Sequence, residues 1–181
     1  MTIRIRQAGV AFFIALAAGL VPCVHAGDAG TPLQESAAPL QKVGEAKLRV
    51  LLWSVYNSRL YTADGSYTEG TRPLRLEIEY LIDVKAGKLV ERTRDEWQAI
   101  GREHPRQEAW LALLGELWPD IQAGDVLALE LAEDGSATFT RNGELLGTIR
   151  DPDFGQQFVD IWLSPDSTRP ELRMALLGGD D

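Results

Sequence analysis

An alternation of apolar and charged side chains between residues 74 and 83 constrains the fold of this chain more than any other feature. The apolar positions are Leu74, Leu76, Ile78, Tyr80 and Ile82, and the charged positions are Arg75, Glu77, Glu79 and Asp83. A period of two places the apolar side chains on one face of a β-strand and the charged ones on the other. The pattern predicts a strand of an antiparallel sheet that is covered on one face only.

Two more strands are indicated before this segment. Residues 46–62 are β-branched, aromatic and alternating, which is typical of strands. Because this stretch exceeds the length of one ordinary strand, we expect a bend or bulge near Trp53 and Ser54 to divide it.

Three further strands are indicated later, at residues 126–131, 137–141 and 144–149. Asn142 and Gly143 join the last two and favour a type I′ hairpin. In that register Arg141 faces Glu144, and Phe139 faces Leu146.

Helical periodicity separates the two groups of strands and closes the chain. Apolar residues recur at helical spacing in residues 86–100, before Gly101, and again from Trp110 to Trp118, before Pro119. Asp151 is expected to cap a third helix that has Pro152 at its first position. A capping box of Thr168 and Glu171 predicts a short last helix that ends before Gly178.

The predicted order of elements is β-β-β-α-α-β-β-β-α-α. Blocks of strands and blocks of helices are segregated, which indicates an α+β fold with an antiparallel β-sheet covered on one face by helices. We expect one such domain over residues 42–178.

The N-terminus has the pattern of a cleavable secretory signal. Arg4 and Arg6 precede an uncharged apolar run at residues 8–21, and small residues end the segment at Ala26. The run is shorter than the ~20 residues that a membrane-spanning helix needs. We therefore expect residues 1–26 to be removed, residues 27–41 to form a flexible leader, and the product to be periplasmic or secreted rather than membrane-spanning.

Composition excludes several classes of function. The net charge of −9 becomes more negative when the signal leaves, so nucleic acid and anionic membrane surfaces are not expected partners. Cleavage also removes the one cysteine, and His104 is then the only histidine. We interpret His104 as an exposed loop residue, which leaves no nucleophile assisted by an imidazole.

A metal site is not expected either, and no cofactor is implied. Cys and His ligands for zinc are too few. Asp151 and Asp153 are interpreted as charges at a helix start, and Asp160 as a residue of a polar helix face.

Tyrosines and arginines on the predicted strands form the candidate ligand site. Tyr56, Tyr61 and Tyr80 each combine an apolar ring with a polar tip, and Arg49 and Arg59 lie on the same strands. Such residues could line an amphipathic cleft and bind a carboxylate. The alternative is that the tyrosines are half-buried at the rim of the sheet. The tryptophans of the helices, Trp97, Trp110, Trp118 and Trp162, are interpreted as core residues.

Several segments together resemble the bacterial chalcone-isomerase-like domains. They are Val43 to Ala46, Trp53 to Tyr61, Glu91 to Gly101, Trp118 to Ile121 with Gly124 and Asp125, the Asn142-Gly143 hairpin, and Phe154 to Ser164 with the closing Leu172 to Gly178. The resemblance covers residues 42–178. It implies an open-faced β-sandwich with an apolar cleft between sheet and helices.

The resemblance implies two functions, because the family includes isomerases that close a chalcone to a flavanone and non-catalytic members, some of which bind fatty acids. Alignment on Tyr56 to Tyr61 places the isomerases' arginine at Leu48, their threonine near Tyr56, and their helix tyrosine and asparagine near Lys85 and Arg92. None of these residues matches, so no catalytic residue is assigned.

The favoured hypothesis is therefore an exported, non-catalytic domain that binds a small apolar or carboxylate-bearing ligand. The alternatives are an intramolecular lyase acting on an α,β-unsaturated ketone, and an interaction module for another protein of the cell envelope.

Overall fold

A computed structural model describes residues 39–179 of the chain. The predicted signal and most of the predicted leader lie outside these residues. The elements are β1 (Gln41–Val50), β2 (Trp53–Thr62), β3 (Leu74–Tyr80), α1 (Ala86–Ala99), α2 (Gln107–Leu117), β4 (Val126–Leu131), β5 (Ala137–Arg141), β6 (Glu144–Ile149), α3 (Phe154–Leu163) and α4 (Pro170–Leu176). The predicted order of strands and helices is confirmed.

The six strands form one antiparallel sheet whose spatial order follows the sequence from β1 to β6. The alternation predicted for β3 is confirmed as far as Tyr80, since Leu74, Leu76, Ile78 and Tyr80 are buried and the residues between them are partly exposed. The strand ends there, and Ile82, predicted on the same apolar face, is exposed. The helices cover the buried face, and the charged face stays open. The α+β class with one covered sheet face is thus observed.

The first two strands are separated by a tight turn at Leu51 and Leu52. A bulge does lie beside Ser54, because Val55 is an extra residue of β2 between the partners of Leu48 and Arg49, but it does not divide the strands. Val50 pairs with Trp53 across the turn, so the strands run antiparallel as a hairpin. The sequence lacks the Asn-Gly signal that marks the second hairpin, and this turn was missed for that reason. β1 also begins at Gln41, one residue before the predicted start of the domain.

The second hairpin has the predicted turn but a different register. Asn142 and Gly143 both have positive φ, 53° and 84°, as a type I′ turn requires. Arg141 pairs with Glu144 as expected, but Phe139 faces Gly147 and not Leu146. A bulge after Phe139 inserts one extra residue into β6 and shifts the register.

Two helix starts differ from the sequence prediction. α3 begins at Phe154, two residues after Pro152. Asp151 still caps the start of this segment, because its Oδ1 accepts a hydrogen bond from the backbone N–H of Asp153 at 3.2 Å, while its Oδ2 accepts one from Trp110 Nε1 at 2.8 Å. α4 begins at Pro170 without a capping box, because the Thr168 hydroxyl donates to Glu96 Oε2 at 2.8 Å. At α4 a tertiary contact thus engages the side chain that the local sequence assigned to a cap.

Two polar residues lie deeper than the sequence suggested. Asp160 is buried and does not lie on a polar face of its helix. Its Oδ2 pairs with Arg102 Nε at a distance of 3.2 Å. Burial raises the pKa of its carboxyl group. His104 is half-buried and stacks on Trp110 with ring centroids 4.4 Å apart.

The core contains Trp97, Trp110 and Trp118, as expected, whereas Trp162 is only partly buried. The last helix packs on the first strand, and Gly44 makes this possible. A Cβ at Gly44 would lie 2.3 Å from the carbonyl oxygen of Ala175. This contact fixes α4, and the segment that leads into it, against one edge of the sheet.

Within residues 39–179, no helix is long and apolar enough to cross a membrane. The same residues hold no group of three or more His, Cys, Asp or Glu side chains that could bind a metal ion.

Candidate functional site

A cavity of about 470 Å³ lies between the covered face of the sheet and helices α1 and α3. Its walls are mostly apolar side chains of strands β1 to β5, with residues of the helices opposite. The apolar residues that line it include Leu48, Leu76, Ile78, Leu89, Leu127, Leu129, Phe139, Phe158 and Ile161. Ligand pockets typically occupy ~300–1,000 Å³ and are lined in this way.

The cavity opens to solvent beside the end of β1. Val50 and Ile82 line it and expose 43% and 37% of their surface. Lys88 and Arg92 of α1 line it as well and are exposed. The opening is therefore apolar on the side of the sheet and cationic on the side of α1.

Two phenols project into the cavity from neighbouring strands. Tyr56 and Tyr80 pair across β2 and β3, and their rings meet edge to face with centroids 6.0 Å apart. Trp162 Nε1 donates a hydrogen bond to Tyr56 Oη at 3.0 Å, which leaves the phenolic proton of Tyr56 free to donate.

Burial keeps both phenols neutral. It raises the pKa of Tyr56 to about 12, against the smaller lowering effect of the hydrogen bond from Trp162. Burial also raises the pKa of Tyr80. Each phenol can therefore serve as a neutral hydrogen-bond donor over the whole physiological range of pH.

Three cationic side chains line the cavity, and two of them are already paired. Lys88 forms an ion pair with Glu91, and Arg92 forms one with Glu96. Arg169, just before α4, lines the cavity without a salt bridge or side-chain hydrogen bond to any residue in the described part of the chain. Its guanidinium is thus available to an anion.

Glu96 holds this end of the cavity together. It is 9% exposed, and its two carboxylate oxygens bind Arg92 and the hydroxyl of Thr168. The second contact ties α1 to the segment that carries Arg169. Within residues 39–179, Glu96 forms no salt bridge with Arg169.

The structure brings only part of the predicted ligand site together. Tyr56 and Tyr80 line the cavity, but Arg49, Arg59 and Tyr61 do not. Arg49 is exposed near the end of β1.

Arg59 and Tyr61 lie on the open face of the sheet. Arg59 binds Glu79 at 2.9 Å, and Tyr61 donates to Glu77 at 3.3 Å. The reason is the parity of β2, in which Tyr56, Ser58 and Leu60 face one side and the residues between them face the other.

The cations that do line the cavity were not among the residues predicted from the sequence. Arg92 lies on α1 three residues after Leu89, so helical spacing alone places it at the border of the apolar face. Arg169 lies between elements, where no periodicity predicts which way a side chain points. Leu48, where the resemblance placed the isomerases' arginine, does line the cavity.

The sheet with one helix-covered face and an internal apolar cavity defines a class of open-faced α+β domains with a ligand-sized interior. The chain belongs to the chalcone isomerase-like family, whose model matches residues 36–178.

One relative is similar to this chain in sequence, and one solved structure is similar to it in fold. A Haemophilus influenzae protein, named only as uncharacterized, is 30% identical over 146 residues, which span 79% of this chain and 72% of that protein. The crystal structure of an Arabidopsis thaliana fatty-acid binding protein has a similar fold, with a TM-score of 0.58 and 9% sequence identity over 76% of this chain and 86% of that one.

Proposed function

We propose that this protein binds a single-chain amphipathic carboxylate, of the fatty-acid type, in the cavity between sheet and helices. The observation that carries the proposal is an apolar cavity of about 470 Å³ whose lining includes Arg169, a cation that forms no salt bridge within residues 39–179. The similarity of fold to a protein named for fatty-acid binding supports the same ligand class.

The two ends of such a ligand would meet different chemistry. A hydrocarbon chain gains roughly 0.8 kcal/mol for each methylene group that it buries, and the leucine and phenylalanine walls supply that environment. A carboxylate fits Arg169, because guanidinium groups bind carboxylates through two parallel hydrogen bonds. The free phenolic proton of Tyr56 offers a further donor.

The walls provide binding groups rather than an evident catalytic set. An isomerase acting on a chalcone needs a cation where negative charge develops on the substrate. Leu48 occupies the position that the family resemblance assigns to that cation, and Arg49 is not part of the lining. The cations that do line the cavity lie elsewhere, Lys88 and Arg92 on α1 and Arg169 just before α4. We therefore favour binding without chemical conversion.

Binding is tested by titrating the purified, delipidated protein with palmitate and following the heat released. We expect saturable binding of one ligand. Leu48→Trp fills the cavity and should abolish binding, whereas Lys47→Trp, on the neighbouring exposed residue, should not. Native mass spectrometry of the protein before delipidation should show a bound carboxylate. Absence of saturable binding, or equal binding by the Leu48→Trp variant, would contradict the proposal.

We further propose that the protein works in the periplasm or outside the cell, with residues 1–26 removed. The proposal rests on the signal-like pattern of the sequence. N-terminal sequencing of the protein from a periplasmic fraction should begin at Gly27. Recovery of uncleaved protein from the cytoplasm alone would contradict export.

A further inference from the structure

The tip of the β1–β2 hairpin exposes an unusual run of apolar side chains. Val50, Leu51, Leu52 and Trp53 expose 43, 92, 98 and 74% of their surface, respectively. We refer to these four residues as the hairpin tip. Single exposed apolar residues are common on proteins, but consecutive exposed ones mark a surface that contacts something apolar.

Folding does not explain the residues of the tip. Leu51 has a φ of +55°, a conformation that residues other than Gly, Asn and Asp adopt at a cost. Only the first central residue of this two-residue turn has positive φ, which is the pattern of a type II′ turn and favours glycine there. A polar residue or glycine at Leu51 would suit both the turn and the surrounding water better than leucine does.

Cationic side chains lie directly beside the tip. Arg49 precedes Val50, and Lys47 lies two residues further back on the same strand. Both are exposed, and neither forms a salt bridge within residues 39–179. An apolar tip with a tryptophan and flanking cations matches the layered chemistry of a phospholipid surface, where phosphate groups lie above the acyl region and tryptophan favours the boundary.

The tip is continuous with the cavity. Val50 belongs to the tip and also lines the cavity, and Val55 and Ile82 line it beside the same opening. A ligand that left through this opening while the tip was immersed in lipid would pass between two apolar environments.

We propose that the hairpin tip inserts into the surface of a zwitterionic phospholipid bilayer and places the opening of the cavity against the lipid. A lipid surface suits the tip better than a protein does, because four residues at a convex turn fall far short of the ~1,200–2,000 Å² of a stable protein interface. The net charge of −9 disfavours anionic surfaces and so favours zwitterionic lipid. The transfer of a ligand rests on the proposed function, but the contact with lipid does not.

The contact is tested by co-sedimentation of the processed chain, beginning at Gly27, with phosphatidylcholine vesicles in the absence of added ligand. The test variant combines Leu51→Asn with Leu52→Ser, and asparagine is well tolerated at positive φ. Each leucine withdrawn from lipid should weaken partitioning about tenfold, so the double variant should lose about a hundredfold. Leu145→Asn is the matched control, because Leu145 is 69% exposed and lies on the opposite edge strand.

Loss of partitioning in the tip variant alone supports the proposal. Equal partitioning of the wild type and the tip variant overturns it, as does absence of partitioning by the wild type. Self-association of the wild type that the tip variant abolishes, without any vesicle binding, would assign the tip to a second copy of the chain instead. Palmitate titration of the tip variant without vesicles keeps the two proposals apart, because cavity binding should be unchanged in it.

Discussion

Replacing Arg169 by methionine removes the unpaired cation of the cavity while keeping most of the side-chain volume. The guanidinium of Arg169 makes no side-chain contact with a polar group in the described part of the chain that would be lost on substitution. The backbone N–H of Arg169 donates to Ser167 Oγ at 3.3 Å, and this bond does not depend on the side chain. The variant should therefore fold normally and differ only in ligand binding.

The expected loss follows from the partial exposure of Arg169. A hydrogen bond to a charged group contributes about 1.5–3 kcal/mol, and contact with solvent places Arg169 near the lower limit. A loss of about 1.5 kcal/mol weakens palmitate binding roughly tenfold. The methyl ester of palmitate carries no charge, so its binding should change little.

Isothermal titration of wild type, Arg169→Met and Arg150→Met with the acid and the ester provides the assay. Arg150 is exposed and does not line the cavity, so its variant should bind both ligands as the wild type does. Equal affinity of wild type and Arg169→Met for palmitate would refute the assignment of Arg169 to the carboxylate. A parallel loss for acid and ester would show that Arg169 acts through packing and not through charge.

Three further outcomes are expected. Burial raises the pKa of Tyr56 to about 12 from 10.0, so the stabilisation of the folded state by the neutral phenol is complete below pH 10 and is lost between pH 10 and 12. In urea denaturation, the free energy of unfolding of the wild type should therefore fall by roughly 2 kcal/mol in that window relative to Tyr56→Phe. Parallel pH profiles of the two proteins would contradict the burial of the phenol. Gly44→Ala should lower the free energy of unfolding by about 2 kcal/mol or more, because its Cβ would meet the Ala175 carbonyl at 2.3 Å; an unchanged denaturation midpoint would refute the close packing of α4. Chalcone should not be converted above background by the wild type or by Arg49→Ala, as followed by absorbance, and turnover lost on that substitution would instead favour the isomerase.

The sequence predicts the fold well where periodicity is strong. The alternation of β3 and the apolar face of α1 depend only on which side of an element is buried, and both are observed. The turn at Leu51 and Leu52 was missed because leucine is a poor turn residue. The exposed leucines that made this turn hard to predict are the same residues on which the proposed contact with lipid rests.

The candidate site was only partly predictable. Tyr56 and Arg59 are three residues apart on one strand, so their side chains point to opposite faces, and strand parity alone could have separated them. The position of Arg169 depends on how α4 docks on β1 and on the bond between Thr168 and Glu96. Such tertiary contacts have no local sequence signal.

A crystal structure of the protein with bound palmitate would test the central claim most directly. We expect one acyl chain among the leucine and phenylalanine walls of the cavity, with its carboxylate within hydrogen-bonding distance of Arg169. Palmitate bound elsewhere, such as on the charged open face beside Arg59, or an empty cavity at a saturating concentration of palmitate, would contradict it.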